Sequence, residues 1–393
     1  MKKTKKIDAR KVILPHSQAK LDFYKDYLKR YIPILQLADF TTSINIFDVF
    51  CGTGIYEDGK KGSPILAFDA IKESYENTLK LNKPLTPINL FINDLEKGKV
   101  EQVKQYLESQ SKGVCKLDFQ NKDAIEFLTD IYCKINSQTT KDRNLILIDP
   151  YGYKNIKKEL IENLVQNKRN TEVILFLPIS QIYRFANCVL DEEEKNNVQA
   201  LKDFIESFFP DKEHPIYKNK LSEEKDLIEY IRIALTFNDK FYATSYYIQR
   251  DNKNHYYALF FLTPNIYGLE KILEVKWLLN DEHGEGFEQP KQPSLFDEVD
   301  KENNKLEQYE KLEKLILNFI TEKDAVNNIE LYLFTLKNNF LKKHSNEVLR
   351  NLQNEKKINV TDLNKRDLAR KGSFYLGYEY YKKCDKKIII TLK

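Results

Sequence analysis

The stretch Phe47–Pro64, FDVFCGTGIYEDGKKGSP, limits what this chain can fold into more than any other. It completes a short apolar run, Ile44–Phe50 (INIFDVF), rich in β-branched and aromatic residues and of the length of a buried strand. The run enters Cys51-Gly52-Thr53-Gly54, where two glycines let the backbone turn sharply and a ligand approach closely. A strand that runs into a glycine turn is the usual cradle of a nucleotide or cofactor in an α/β sheet.

The flanking chain alternates strand and helix. Residues 17–37 carry Leu21, Tyr24, Leu28, Tyr31, Ile32 and Leu35 at helical spacing, with Ser17 as the expected N-cap. Lys20 on this helix reads either as a surface lysine or as a contact to a cofactor or phosphate. A helix is predicted over Ser63–Leu79 and a strand over Ile88–Ile92 ending in Asn93-Asp94. A helix near 97–110 and a strand Val114–Leu117 ending in Asp118 follow. Next come a helix over 122–134, a buried strand Asn144–Ile148, a helix over 156–167 and a fifth strand, Glu172–Leu177. Residues 190–235 read as a charged helical insertion, and Phe241–Gln249 with His255–Leu262 as a hairpin. A mostly parallel doubly wound sheet closed by a late antiparallel hairpin is the pattern of class I S-adenosylmethionine methyltransferases, a Rossmann-like α/β fold. In such sheets ligands sit at the C-terminal strand ends, where Asp48, Asp94, Asp118 and Asp149 all fall.

Three cofactors compete for the glycine turn. A dinucleotide fingerprint, G-x-G-x-x-G, fails because Glu57 stands three residues after Gly54. A P-loop is closer, since Gly54–Lys60 satisfies G-x-x-x-x-G-K, but Lys61 replaces the hydroxyl residue that would hold magnesium. Glu57 and Asp58 inside that loop would also repel a triphosphate. S-adenosylmethionine fits best. Phe50, Cys51, Gly52 and Gly54 form the turn and Asp48 faces the methionine amino group. Asp94, with Asn93 beside it, meets the ribose, and Asp118 meets the adenine amine. No metal site is expected, because the five cysteines at 51, 115, 133, 188 and 384 form no C-x-x-C pair.

Asp149-Pro150-Tyr151-Gly152 follows the fourth strand, where amino-methyltransferases carry a D-P-P-Y type motif. An exocyclic amine is a poor nucleophile because its lone pair is delocalised into the ring. A carboxylate and a proline-held carbonyl can turn that lone pair outward, while an aromatic ring, Tyr151 or Tyr153, stacks on the extruded base. With one proline the form D-P-Y-G looks more like the D-P-F-G of transfer-RNA guanine-N2 methyltransferases. No Pro-Cys pair supports attack at cytosine C5. The bland reading of Asp149-Pro150 is a strand-ending turn.

The net charge of +4 is uneven. Residues 337–393 hold 15 Lys+Arg against 6 Asp+Glu, or +9, which leaves about −5 for the rest. Three helical patterns from Leu312 onward, then Lys356–Val360 and Lys387–Leu392 as strands around a basic, tyrosine-rich loop, describe a winged helix over 311–393. His344–Leu352 would be its recognition helix. Lys342, Lys343, Arg350, Lys356, Lys357, Arg370 and Lys371 are the candidate phosphate contacts, and use of the domain for protein contacts is the alternative. Residues 281–310, with ten acids and two prolines, read as a linker after a catalytic-type domain spanning 1–280. Inside the linker, Gln292–Phe296 (QPSLF) resembles the Q-x-x-L-F peptides that dock on the bacterial sliding clamp. Neither a signal peptide nor an 18-residue apolar stretch stands out, so a cytoplasmic protein without membrane contact is expected.

The chain resembles the three-Cys-motif partner proteins, bacterial and phage proteins with a methyltransferase-like core. KLDFYKDYLKRYIPIL, FDVFCGTGIYEDGKKGSP, LILIDPYGY and TEVILFLPISQIYRF carry the resemblance, which covers about residues 17–280. The basic C-terminal region is similar to a tail attached to some members. The resemblance implies S-adenosylmethionine use and a genomic partner with three cysteines like those of radical enzymes. Members often carry Glu at the end of strand two, where this chain has Asn93. The expectation is therefore an S-adenosylmethionine-dependent methyltransferase acting on an exocyclic amine of a nucleic-acid base, DNA before RNA. The alternative is a non-catalytic nucleic-acid-binding partner of a three-Cys protein in phage defence or repair.

Overall fold

Strands and helices alternate from the start of the first of two compact units, Met1–Asn265 with Gly286–Gln289. The computed structural model describes residues 13–110, 113–166, 169–190, 199–218, 221, 223–251, 255–289, 297–363 and 367–393. Helix α1 (Pro15–Gln36) precedes β1 (Ser43–Asp48) and α2 (Ser63–Lys80). There follow β2 (Ile88–Asn93), α3 (Lys97–Glu108), β3 (Lys116–Gln120), α4 (Ala124–Ser137), β4 (Asp142–Ile148), α5 (Lys158–Val165) and β5 (Thr171–Leu177). Helices α6 (Ile179–Leu190), α7 (Gln199–Phe208), α8 (Pro215–Lys218) and α9 (Glu224–Ala234) lead to the hairpin β6 (Tyr242–Asp251) and β7 (His255–Thr263), with β8 (Gly286–Phe287) at the sheet edge.

The sheet order is β3-β2-β1-β4-β5-β7-β6-β8. The first five strands in that order are parallel, and β7 runs antiparallel between β5 and β6. This is the class I methyltransferase sheet that the alternation and the late hairpin predict. Successive residues of a strand point to opposite faces, and Ile44–Asp48, Asn144–Ile148 and Thr171–Leu177 are all buried, so both faces of the sheet centre are covered. Strand order reverses beside β1, so a crevice opens at the C-terminal ends of β1 and β4.

Helix α1 begins at Pro15 with Leu14 in the cap position, three residues before the expected cap at Ser17, because proline supplies the first-turn φ. It buries Phe23, Tyr24, Tyr27, Leu28 and Tyr31. The Tyr27 hydroxyl donates to Glu172 of β5, and Thr263 of β7 donates to the same carboxylate at 2.7 Å. One buried acid thus fastens helix, parallel strand and closing hairpin. Burial raises the Glu172 carboxyl above its ordinary range, against the Tyr27 and Thr263 bonds and the Arg143 charge.

The second unit, Ile266–Glu285 with Pro290–Lys393, is a winged helix. It contains α10 (Ile266–Leu279), α11 (Asp297–Lys323), β9 (Val326–Asn327), α12 (Asn328–Lys337) and α13 (Lys342–Asn354). Then come β10 (Ile358–Asp362), β11 (Asp367–Leu368), α14 (Tyr378–Lys383) and β12 (Ile388–Leu392). The strands form an antiparallel sheet, β11-β10-β12-β9. Asn327 caps α12 by accepting from the Ile329 and Glu330 amides, and Glu330 accepts in return from the Asn327 amide.

Two expectations need correction. Residues 297–310 are not linker but the first half of α11, whose acids and lysines favour helix without an apolar stripe. Lys305 pairs there with Asp281 at 2.6 Å. The units also divide at Asn265/Ile266, ahead of residue 280, because α10 packs on α12. The clamp-like peptide Gln292–Phe296 lies outside the described residues. Among the described residues no helix is long and apolar enough to cross a membrane.

Tyr27→Phe should leave the buried Glu172 short of a donor and lower unfolding stability by about 1–3 kcal/mol. Urea titration should show an earlier midpoint with an unchanged slope.

Candidate functional site

The turn after β1 is fixed by its own backbone. Gly52 and Gly54 lie at φ +60° and +72°, and a Cβ at Gly54 would stand 2.6 Å from the Val103 side chain. The Gly62 amide donates to the Gly54 carbonyl at 2.5 Å, which closes the loop and sets the start of α2. The Gly52 amide donates to Asp94 at 3.1 Å. The Cys51 thiol is buried and pushed far above its ordinary range, by desolvation first and then by Asp48 and Asp94.

Asp48 ends β1 at 1% exposure, and among the described residues neither of its oxygens has a hydrogen-bond partner. Desolvation pushes its carboxyl up to about 7. The Ser63 hydroxyl and the Phe50 amide face it and temper the rise without completing bonds of normal geometry, while Asp149 and Asp94 add to it. The buried Tyr24 hydroxyl beside it also has no partner among the described residues. Next to this pocket, Lys20 of α1 reaches Asp149 at 2.7 Å. Its ammonium lies 4.7 Å from the centre of the Phe176 ring and 4.9 Å from that of Tyr257.

A cavity of about 360 Å³ opens over the ends of β1, β2 and β4 and the start of α4. Its walls include apolar Val49, Phe50, Ile125, Leu128 and Ile156, and its polar groups include Asp94, Glu96 and Asp123. Apolar walls with a few polar groups among them are the usual make-up of a small-molecule pocket. Asp94 is largely committed, since its second oxygen accepts from the Glu96 amide at 2.9 Å. Glu96 is exposed and pairs with Lys99 at 2.7 Å.

The structure brings Phe50, Asn93, Asp94, Pro150 and Tyr151 to the cavity, and places Asp48, Cys51, Gly52 and Gly54 in the adjoining turn. Asn93 faces neighbouring backbone: its amide donates to the Val49 and Lys122 carbonyls, both at 3.1 Å, and its oxygen accepts from the Lys122 amide at 3.0 Å. Asp118 is corrected. Strand β3 extends to Gln120, so Asp118 stands mid-strand opposite Phe91 and binds Gln120, away from the cavity. Asp123, which caps α4 through the Ile125 amide at 2.9 Å, is the acid that reaches the lining. Extending the third strand through Phe119 in the sequence would have found it. Tyr153 is placed elsewhere: it is half-buried, packs edge-on against Phe204 at 5.6 Å beside the hydrophobic core, and does not line the cavity. Tyr151 is 80% exposed, with Lys99 donating to its hydroxyl at 2.9 Å.

In the winged helix, two candidates are engaged. Lys342 pairs with the buried Glu270 at 3.4 Å, and Lys357 pairs with Glu313 and Glu355. Lys343, Arg350, Lys356, Arg370 and Lys371 are exposed. The Gly372 amide donates to Gln353 of α13 at 3.0 Å, and the Arg350 Nε lies 3.7 Å from where a Cβ at Gly372 would stand. The loop after β11 therefore brings Arg370 and Lys371 beside the Arg350 face of α13.

The family model described as a GMT-like wHTH domain matches residues 282–364. No curated protein matches the chain. A Legionella pneumophila strain Philadelphia 1 protein of family DUF519 is similar in structure, with 12% identity, 67% of this chain and 91% of that chain covered, and a TM-score of 0.40. A putative O-methyltransferase from Klebsiella pneumoniae is similar at 10% identity, 64% and 90% coverage and a TM-score of 0.31. An O-methyltransferase of Streptomyces achromogenes, in complex with S-adenosylmethionine, is similar at 12% identity, 64% and 88% coverage and a TM-score of 0.32. Strand order and register, rather than these likenesses, define the fold.

Asp48 gives a pH signature. Its folded pKa is raised, so its contribution to stability is present below the ordinary carboxylate range and is lost as pH rises toward about 7. Asp48→Asn should therefore be more stable than the native chain at pH 8, by on the order of 2–4 kcal/mol at about 1.4 kcal/mol per unit. The gap should close as pH falls toward 4, read by urea unfolding across that range.

Proposed function

We propose that this chain is an S-adenosylmethionine-dependent methyltransferase acting on an exocyclic amine of a nucleic-acid base, in DNA rather than RNA. The observation that carries the reading is Asp48: a buried carboxylate without a hydrogen-bond partner among the described residues, at the end of β1 and beside the glycine turn. Burying an unpaired acid is costly, and a ligand ammonium would relieve that cost. Asp48 would hold the methionine amino group, with the Ser63 and Tyr24 hydroxyls beside it. The adjoining cavity would hold the adenosine half, with Glu96 and Asp94 toward the ribose and Asp123 and Ile125 toward the base. When bound, the cofactor supplies an electrophilic methyl group.

The protein's own part is positioning. Lys20 takes one oxygen of Asp149 at 2.7 Å and orients the carboxylate. The other oxygen is available to accept an amine N–H, which turns the nitrogen lone pair out of conjugation. Pro150 stiffens the main chain that carries this group. Exposed Tyr151, steadied by Lys99, offers a ring face to an extruded base. The winged helix would supply duplex affinity through Arg350, Arg370 and Lys371.

One observation favours a second reading. The Lys20–Asp149 ion pair occupies the motif carboxylate, as it would in a protein that binds nucleic acid without catalysis and works beside a three-Cys protein. Sliding-clamp docking through Gln292–Phe296 fits either reading.

Calorimetry with S-adenosylmethionine decides first, since no heat at high micromolar cofactor sinks the enzyme reading. Given binding, Asp149→Ala should cut labelled methyl transfer to DNA by about 100-fold while leaving cofactor affinity unchanged. Neutralising Arg350, Arg370 and Lys371 together should weaken DNA binding across all sequences and reduce the slope of log affinity against log salt by up to about 3.

A further inference from the structure

We propose that Arg184, Arg250 and His255 form a phosphodiester-binding subsite that holds the nucleic-acid strand next to the target base. This rests on the nucleic-acid substrate proposed above. The site follows from topology. Helix α6 starts directly after β5 and carries Arg184 in its second turn. The hairpin brings Arg250 near the end of β6 and His255 at the start of β7 to the same end of the sheet, because β7 runs antiparallel to β5.

These three side chains line one cavity of about 30 Å³ together with Ser180, Tyr256 and Tyr257. That is the volume of a single water, so an oxygen of a phosphate enters while the rest stays in solvent. The size suits a backbone diester and excludes a buried free nucleotide. Arg184 and Arg250 are exposed, and the Arg184 guanidinium meets His255 Nε2. Two guanidiniums and an imidazole converging on one opening make a place for an anion, and arginine's planar fork matches phosphate oxygens. The acid beside them is Glu224, which accepts from Ser180 at 2.6 Å and is raised by burial, with His255 and Arg184 opposing the rise.

The site is joined to the Asp149 motif by a single ring. Tyr257 stacks on His16 with centres 5.5 Å apart, and the same ring carries Lys20, which reaches Asp149. Cationic groups interleaved with aromatic faces, running from the hairpin to the motif carboxylate, form the kind of track that holds a single strand. A base placed at Asp149 would set its neighbouring phosphate toward this opening.

The test uses the full-length protein and a fluorescein-labelled 20-nucleotide single strand, with anisotropy titrations at several salt concentrations. Arg184→Gln with Arg250→Gln should weaken binding about 10-fold at low salt and reduce the salt slope by about 1. Arg250→Glu alone, on the exposed end of β6, should weaken binding further and serves if the double variant misfolds. Binding with an unchanged affinity and slope in both variants overturns the subsite, as does a native protein that binds no single strand. Calorimetry with S-adenosylmethionine is run on the same samples. Loss of cofactor binding in the native protein would refute the methyltransferase reading while leaving the salt slopes to decide the subsite.

Discussion

The C-terminal edge of the sheet depends on one carboxamide. Where parallel strands end, their last carbonyls and amides lose their ladder partners, and buried backbone groups without partners are costly. Asn93, at 1% exposure, satisfies three of them: the carbonyls of Val49 and Lys122 and the amide of Lys122. It thereby ties the ends of β1 and β2 to the segment after β3. A carboxylate there could not donate to two carbonyls. The residue that looks from the sequence like a missing ribose contact is instead the clamp that gives the site its floor.

With that edge held, neighbouring acids divide their work. Asp94 spends its oxygens on the amides of Gly52 and Glu96, and so holds the glycine turn in its left-handed conformation. Asp123 caps α4. Only Asp48, among the described acids at these strand ends, is both fully buried and without a hydrogen-bond partner. Burial without a partner makes this residue a local cost to stability that grows as pH rises.

The central strands were legible because both faces are buried, so β1, β2, β4 and β5 read as apolar runs ending in polar residues. Strand β3 is only half-buried, its run is less apolar, and its end was read three residues early. Asp123, which lines the cavity, lies beyond that early end. Helix α11 hides for a related reason: its acidic first half is mostly exposed and shows no apolar period. Tyr151 and Tyr153 are two residues apart, and the sequence could not say that one is 80% exposed while the other lies against Phe204. Nor could it pair Lys20 with Asp149 across 129 residues. That contact exists because α1 lies where its lysine meets the rings of Phe176 and Tyr257.

This lysine sharpens the chemistry of the edge. Two carboxylates, Asp48 and Asp149, lie close enough for the charge of one to raise the other. Among the described residues the chain supplies a cation to Asp149 and not to Asp48: Lys20 reaches it at 2.7 Å, with the lysine side chain 15% and the carboxylate 35% exposed. Two aromatic faces hold that ammonium in place, so its position does not depend on the salt bridge alone. Asp149 is thus oriented by the protein, whereas Asp48, among the described residues, has no hydrogen-bond partner. The edge is therefore asymmetric in charge: one carboxylate is offset within the chain, and its neighbour is costly to ionise.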